Sequence, residues 1–240
     1  LLAVSANVLN QIFEIETDRL MERTANRPLV TGEINKKSAY VYSISLGLVG
    51  FLVLYTQTTE LAAFIALSAN IFYSFIYTLV LKPRTNQNIV IGGAAGAAPV
   101  LIGWSATGTN LDTGSWLLFL LVFLWTPAHF WALSIDKLND YKDANFPMLP
   151  TQESYKRTSI FIGIYSCATV LTSLLLAPIL QLGMVYLLLS LIFGLYLMYK
   201  SYQLYRKQIK AISYFVFSNT YLAVIFLSMV ADIFITLSSI

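Results

Sequence analysis

Seven apolar runs, each close to 20 residues, constrain this chain more than any other feature. They lie at roughly 38–57, 60–81, 89–108, 114–135, 158–178, 181–200 and 214–236. A helix needs about 20 apolar residues to cross the hydrocarbon of a bilayer, whereas a barrel strand needs about 10 in strict alternation. The runs do not alternate, so the fold expected is all-α, a polytopic bundle of transmembrane helices embedded in a lipid bilayer. Residues 1–12 read as the tail of a further span, so the chain is expected to begin inside a membrane helix. The opening LLAVSANVL is already apolar and lacks the charged n-region of a signal peptide, so none is expected. Charged residues make up 11% of the chain, against about 25% in a soluble domain. That is too few for a water-facing surface.

The basic residues give the topology. All 15 Lys and Arg fall in four connectors, near residues 19–37, 82–84, 137–157 and 200–210. The alternate connectors, near residues 58, 110 and 180, hold none. Basic residues mark the cytoplasmic side of a membrane protein, so the four basic connectors are expected to face the cytoplasm. The net charge of +3 is therefore a topology signal. The cations are dispersed and interleaved with acids, which excludes a nucleic-acid interface. One cysteine, Cys167, excludes an internal disulfide and reads as packing within an apolar run. One histidine, His129, excludes a multi-histidine metal centre.

The first basic connector carries the chemistry. In NVLNQIFEIETDRLMERTANRP, Asn10, Glu14 and Asp18 recur every four residues. On a helix that spacing keeps one face, drifting about 40° per step over about 12 Å. Arg23 and Arg27 follow. Mg2+ takes oxygen ligands, retains waters and shares its shell with substrate phosphates. The guanidinium fork binds two phosphate oxygens at once. A solvated loop with i, i+4 ion pairs is the plainer reading. Asn10 and Glu14, however, continue an apolar helix, where polar groups are expensive and usually functional.

Two other stretches join it on the same side. Asp136 and Asp140 are again four apart, at the end of a span, and two acidic helix ends can bridge a diphosphate through Mg2+. Lys137 and Lys142 read equally as phosphate contacts or snorkelling lysines. Lys82 and Arg84 add cations, while Gly92 and Gly96 with the neighbouring alanines form a small-residue face suited to close helix packing. His129 stands among Trp125, Phe130 and Trp131. It reads either as a bond to a neighbouring helix or as a contact for a flat, iron-bearing ligand. Spaced acids and arginines on one membrane face suit a diphosphate with a hydrophobic tail, an allylic prenyl diphosphate above all. Aromatic residues, 14% of the chain, can stabilise an allylic cation.

At this point the sequence resembles a known family, the protohaem IX farnesyltransferases (haem O synthases) of the UbiA superfamily of intramembrane prenyltransferases. The resemblance rests on Asn10-x3-Glu14-x3-Asp18-x2-Met21-x-Arg23-Thr24-x2-Arg27-Pro28-Leu29, on Asn88 through Trp104, and on His129-Phe130-x-Ala132-Leu133 with Asp140-Tyr141 and Pro147-Met148-Leu149-Pro150. Glu14 stands where many relatives have Asp, and Asp136 fits the wider DxxxD pattern of the superfamily. The resemblance implies one transmembrane prenyltransferase domain over residues 1–240. Seven full spans and a partial one would remain of nine, lacking the first and most of the second. It implies farnesyl transfer from farnesyl diphosphate to a vinyl group of haem b, with water addition, giving haem O for terminal oxidases. Asn10, Glu14, Asp18, Asp136 and Asp140 would then hold Mg2+ and diphosphate, with Asn10, Glu14, Asp18 and Asp140 catalytic. Arg23, Arg27, Lys82 and Arg84 would contact diphosphate, His129 would contact haem, and Tyr141 would orient Asp140. It implies residence in a bacterial inner membrane, or the mitochondrial inner membrane in a eukaryote. The partners would be haem A synthase or oxidase assembly factors. Three alternatives carry different expectations: a relative that prenylates a quinone or chlorophyll precursor, a secondary transporter with acids near its midplane, and a non-catalytic oxidase assembly scaffold.

Overall fold

A computed structural model describes residues 1–238, with side chains through residue 235. Helices account for all the regular structure among them. They fall into two compact units, residues 1–111 with 137–152, and residues 112–136 with 153–240. Among the described residues seven helical segments are long and apolar enough to cross a membrane, and the chain is a multi-pass membrane protein.

In the first unit, α1 (Leu2–Phe13) leads into two short helices, α2 (Ile15–Asp18) and α3 (Pro28–Thr31). The spans α4 (Lys36–Gln57), α5 (Glu60–Ile71) and α6 (Asn88–Ala106) follow. Between α5 and α6 the second span continues as a π-helix, Phe72–Leu81. The Asn35 side chain accepts from Ser38 N–H and starts α4, and Thr59 does the same for α5 through Ala62 N–H. Side-chain caps satisfy amides that the helix cannot. Two short helices complete the unit, α8 (Leu138–Asp143) and α9 (Leu149–Gln152).

The second unit contains α7 (Thr113–Asp136), α10 (Tyr155–Ile179), α11 (Met184–Tyr205) and α12 (Ala211–Ser238). α7 packs on α10 and α12, and α11 packs on both α10 and α12.

Burial runs opposite to that of a water-soluble protein. Large apolar side chains such as Leu48, Ile192 and Leu227 face outward, where lipid tails are as apolar as leucine. Small hydroxyls face inward, where they bond across helices in place of a hydrophobic drive. Ser5 of α1 meets Ser43 of α4 at 3.2 Å. Ser166 meets the Tyr214 hydroxyl at 2.6 Å, and the Tyr221 hydroxyl donates to Ser173 Oγ at 2.8 Å. The expected packing role of Cys167 does not hold, because its side chain lies exposed on α10.

Candidate functional site

The row of Asn10, Glu14 and Asp18 bends at its centre. Glu14 has φ −103° and ψ 13° and separates α1 from α2. The four-residue bonding nevertheless continues, because Glu14 N–H donates to Asn10 O at 3.0 Å and Asp18 N–H to Glu14 O at 2.7 Å. The three side chains therefore keep their spacing through the bend, and all three are buried, Asp18 to 1% exposure.

Each acid has a cation. Lys82 Nζ lies 2.6 Å from Glu14 Oε2, and Arg27 Nη1 lies 2.5 Å from Asp18 Oδ2. Lys82 also sits over the Phe146 ring at 4.6 Å, so the segment after α8 closes against the same ammonium. The π-helix aims this lysine. Lys82 N–H bonds Tyr77 O and Thr78 Oγ1 bonds Tyr73 O, both five residues back. The wider turn shifts the face on which Lys82 emerges, and π-turns of this kind gather at functional sites. Asn10 fixes it from the other side by donating to Thr78 Oγ1 at 3.1 Å. Tyr73 and Tyr77 stack at 5.3 Å within the same turn. Tyr73 lies within electrostatic reach of Glu14 and Arg27, and Tyr77 of Glu14 and Tyr141. Gly92 admits the Tyr77 ring, since a Cβ there would overlap it, whereas Gly96 opens on free space.

The site fits a hard divalent cation. Glu14 Oε1 and Asp18 Oδ1 are buried without a hydrogen-bond partner. An unpaired buried carboxylate oxygen is costly, and a cation shared with water and phosphate relieves that cost. Among the described residues no three His, Cys, Asp or Glu side chains converge on one point. Two carboxylates suit an ion that draws its other ligands from substrate and solvent.

The remaining candidates are placed as follows. The helix path breaks at Lys137, with φ −103° and ψ 32°. Asp136 thus ends α7 and is exposed, while Asp140 is half-buried on α8. The two do not share a face of one continuous helix, as their spacing suggested. Tyr141, next to Asp140, accepts from Phe146 N–H through its carbonyl at 3.0 Å, which folds the chain back toward Pro147. Arg23 is exposed. Arg84 is exposed too, and its guanidinium donates to the carbonyls of Leu79 and Val80 at 2.7 and 3.4 Å. Asn88, fully buried, donates to Thr85 O at 2.7 Å and reaches Pro147 O at 3.5 Å.

In the second unit His129 is buried between two rings, Trp125 at 4.2 Å and Phe215 at 4.1 Å. Its Nδ1 lies 2.7 Å from Ser218 Oγ. Sequence reasoning missed Tyr73, Thr78, Phe146 and Ser218. Tyr73, four before Tyr77 in an apolar span, was the one signal available for that set.

Comparison with known proteins places this geometry in a lineage. The model of the UbiA prenyltransferase family matches residues 1–230. A protein of Thermus thermophilus named "Protoheme IX farnesyltransferase" is 42% identical over 97% of this chain, and one of the same name from Rhodococcus jostii is 40% identical over 96%. The chain spans 38% of the length of the first and 77% of the second. Among solved structures, one described as digeranylgeranylglyceryl phosphate synthase has a TM-score of 0.74 at 22% identity, covering 96% of this chain and 81% of that one. A UbiA homolog from Archaeoglobus fulgidus bound to GPP and Mg2+ has a TM-score of 0.63 at 17% identity, covering 94% and 82%. These structural likenesses speak for the fold, and the sequence matches decide the lineage: the chain belongs to the UbiA prenyltransferase family.

Proposed function

We propose that this protein transfers a farnesyl group from farnesyl diphosphate to a vinyl group of haem b, with addition of water, giving haem O and diphosphate. The observation that carries the reading is the buried double pair, Glu14 with Lys82 and Asp18 with Arg27, in which each acid keeps an unpartnered oxygen. The choice of farnesyl and haem is supported by the relatives named "Protoheme IX farnesyltransferase". Glu14 and Asp18, with Asn10 beside them, would hold Mg2+ through their unpartnered oxygens, water and diphosphate completing its shell, and Asp140 would meet the diphosphate from α8. When bound, the ion supplies positive charge against the charge that builds on departing diphosphate.

The chain's own groups do the rest. Arg27 and Lys82 exchange carboxylate for phosphate oxygens, which keeps each cation paired throughout. Arg23 approaches the outer phosphate, and Arg84 does so by releasing Leu79 and Val80. The C1–O bond of the farnesyl group breaks, and its electron pair leaves on diphosphate. Tyr73 and Tyr77 offer π faces to the allylic cation. The haem vinyl π pair forms the new bond to C1 and leaves a cation on the carbon next to the porphyrin. Water adds there and loses a proton. His129 contacts haem, and Tyr141 orients Asp140. Haem A synthase or a terminal oxidase assembly factor receives the product. The basic connectors face the cytoplasm of a bacterial inner membrane, or its mitochondrial counterpart.

A competition assay tests this. Membranes containing the protein receive radiolabelled farnesyl diphosphate, Mg2+, haem b and a quinone precursor together. Label is expected in the haem fraction. Label in the quinone fraction instead contradicts the reading.

A further inference from the structure

His129 has both ring faces covered, by Trp125 at an interplanar angle of 21° and by Phe215 at 23°. A metal approaches imidazole in the plane of the ring, along a nitrogen lone pair, so stacking leaves that approach open. Which nitrogen keeps its lone pair is set by the hydrogen bond that the other one makes. Nδ1 lies 2.7 Å from Ser218 Oγ. That hydroxyl has one proton, and Oγ also lies 2.7 Å from the carbonyl oxygen of Phe215. A carbonyl only accepts, so the serine proton goes to Phe215 O. Ser218 Oγ then accepts from Nδ1–H. A neutral imidazole carries one N–H, which leaves Nε2 bare. Ser218 is fully buried, and the Trp125 indole N–H donates to its carbonyl at 2.9 Å. Trp125 thus covers His129 and also holds the residue that bonds it.

We propose that Ser218 is a positioning residue that fixes His129 in the tautomer with a bare Nε2, ready to meet the iron of haem b. The inference rests on the haem reading of His129 given above and adds the group that makes that nitrogen a ligand. Partners that orient a ligating histidine typically change metal affinity by about 10–100-fold when removed.

The chain has one histidine, so 15N-histidine labelling of the full chain in detergent gives the two ring nitrogens of His129 alone. Wild type is expected to show a protonated Nδ1 and an unprotonated Nε2. A protonated Nε2 in wild type overturns the proposal without any substitution. Ser218→Ala is expected to populate the other tautomer and to weaken ferrous haem b binding about tenfold. Ser218→Thr, which keeps a hydroxyl, is expected to recover both. Wild-type tautomer and affinity in Ser218→Ala also overturn the proposal. His129→Ala separates it from the reading beneath it. Unchanged haem affinity there defeats the haem contact itself, even where the nitrogen spectrum is as expected.

Discussion

Replacing Lys82 with Met removes one ammonium and keeps an unbranched chain against Phe146. The side chains of the Lys82–Glu14 pair are 15% and 7% exposed, with 2.6 Å between Nζ and Oε2. Glu14 Oε1 is already unpartnered. The variant therefore leaves both oxygens of a buried carboxylate without a partner. Breaking a buried pair from one side costs about 3–5 kcal/mol, and the partial exposure of Lys82 favours the lower end. At about 2–4 °C per kcal/mol for a chain of this length, about 3 kcal/mol lowers the unfolding midpoint by about 6–12 °C. The loss of the Lys82 contact with Phe146 contributes about 0.5–1 kcal/mol. A double-mutant cycle cancels it, because it is lost in both backgrounds. In that cycle, Lys82→Met in a Glu14→Gln background is expected to cost at least about 2 kcal/mol less than in wild type, read by thermal unfolding in detergent. Additivity within about 0.5 kcal/mol, the usual result for independent sites, refutes the claim that this pair organises the site.

Asp18→Asn keeps the size of the side chain but removes its charge; product formation is expected to be lost while the protein still inserts, and full activity defeats its role as a Mg2+ ligand. Gly92→Ala puts a methyl into the Tyr77 ring, at an expected cost of about 1–3 kcal/mol; a thermal midpoint equal to wild type counts against that contact. Asp232 of α12 accepts from Gly183 N–H and, at 3.4 Å, from Tyr186 N–H at the start of α11. Asp232→Ala is expected to cost about 1–2 kcal/mol, as for a lost helix cap, and an unchanged midpoint removes the cap from the account.

The spans were legible in the sequence because a bilayer demands length and apolarity together. The run at 60–81 became Glu60–Leu81, and the run at 38–57 became Lys36–Gln57. The breaks were not legible. Nothing in residue type marks Glu14 or Lys137 as the end of a helical path, and the π-helix shows only in the folded turn, where Lys82 N–H bonds the Tyr77 carbonyl five residues back. Glu14, Asp18, Arg27 and Lys82, candidates by residue type, are brought together as two buried pairs, whereas Arg23, Arg84 and Asp136 lie exposed. The pairing was not legible, since Lys82 stands 68 residues from Glu14 and Ser218 stands 89 from His129. Periodicity reports one helix at a time, whereas these contacts belong to helix packing. Arg84 shows the same limit: its charge was visible, but its return to the carbonyls of its own helix was not.

The central claim is farnesyl transfer to haem b with capture of water. Membranes containing the protein, given haem b, farnesyl diphosphate and Mg2+ in 18O-labelled water, test it directly by chromatography and mass spectrometry. The account predicts a haem carrying one farnesyl group and one heavy hydroxyl oxygen. Recovery of unaltered haem b, or a farnesylated haem without the heavy oxygen, contradicts it.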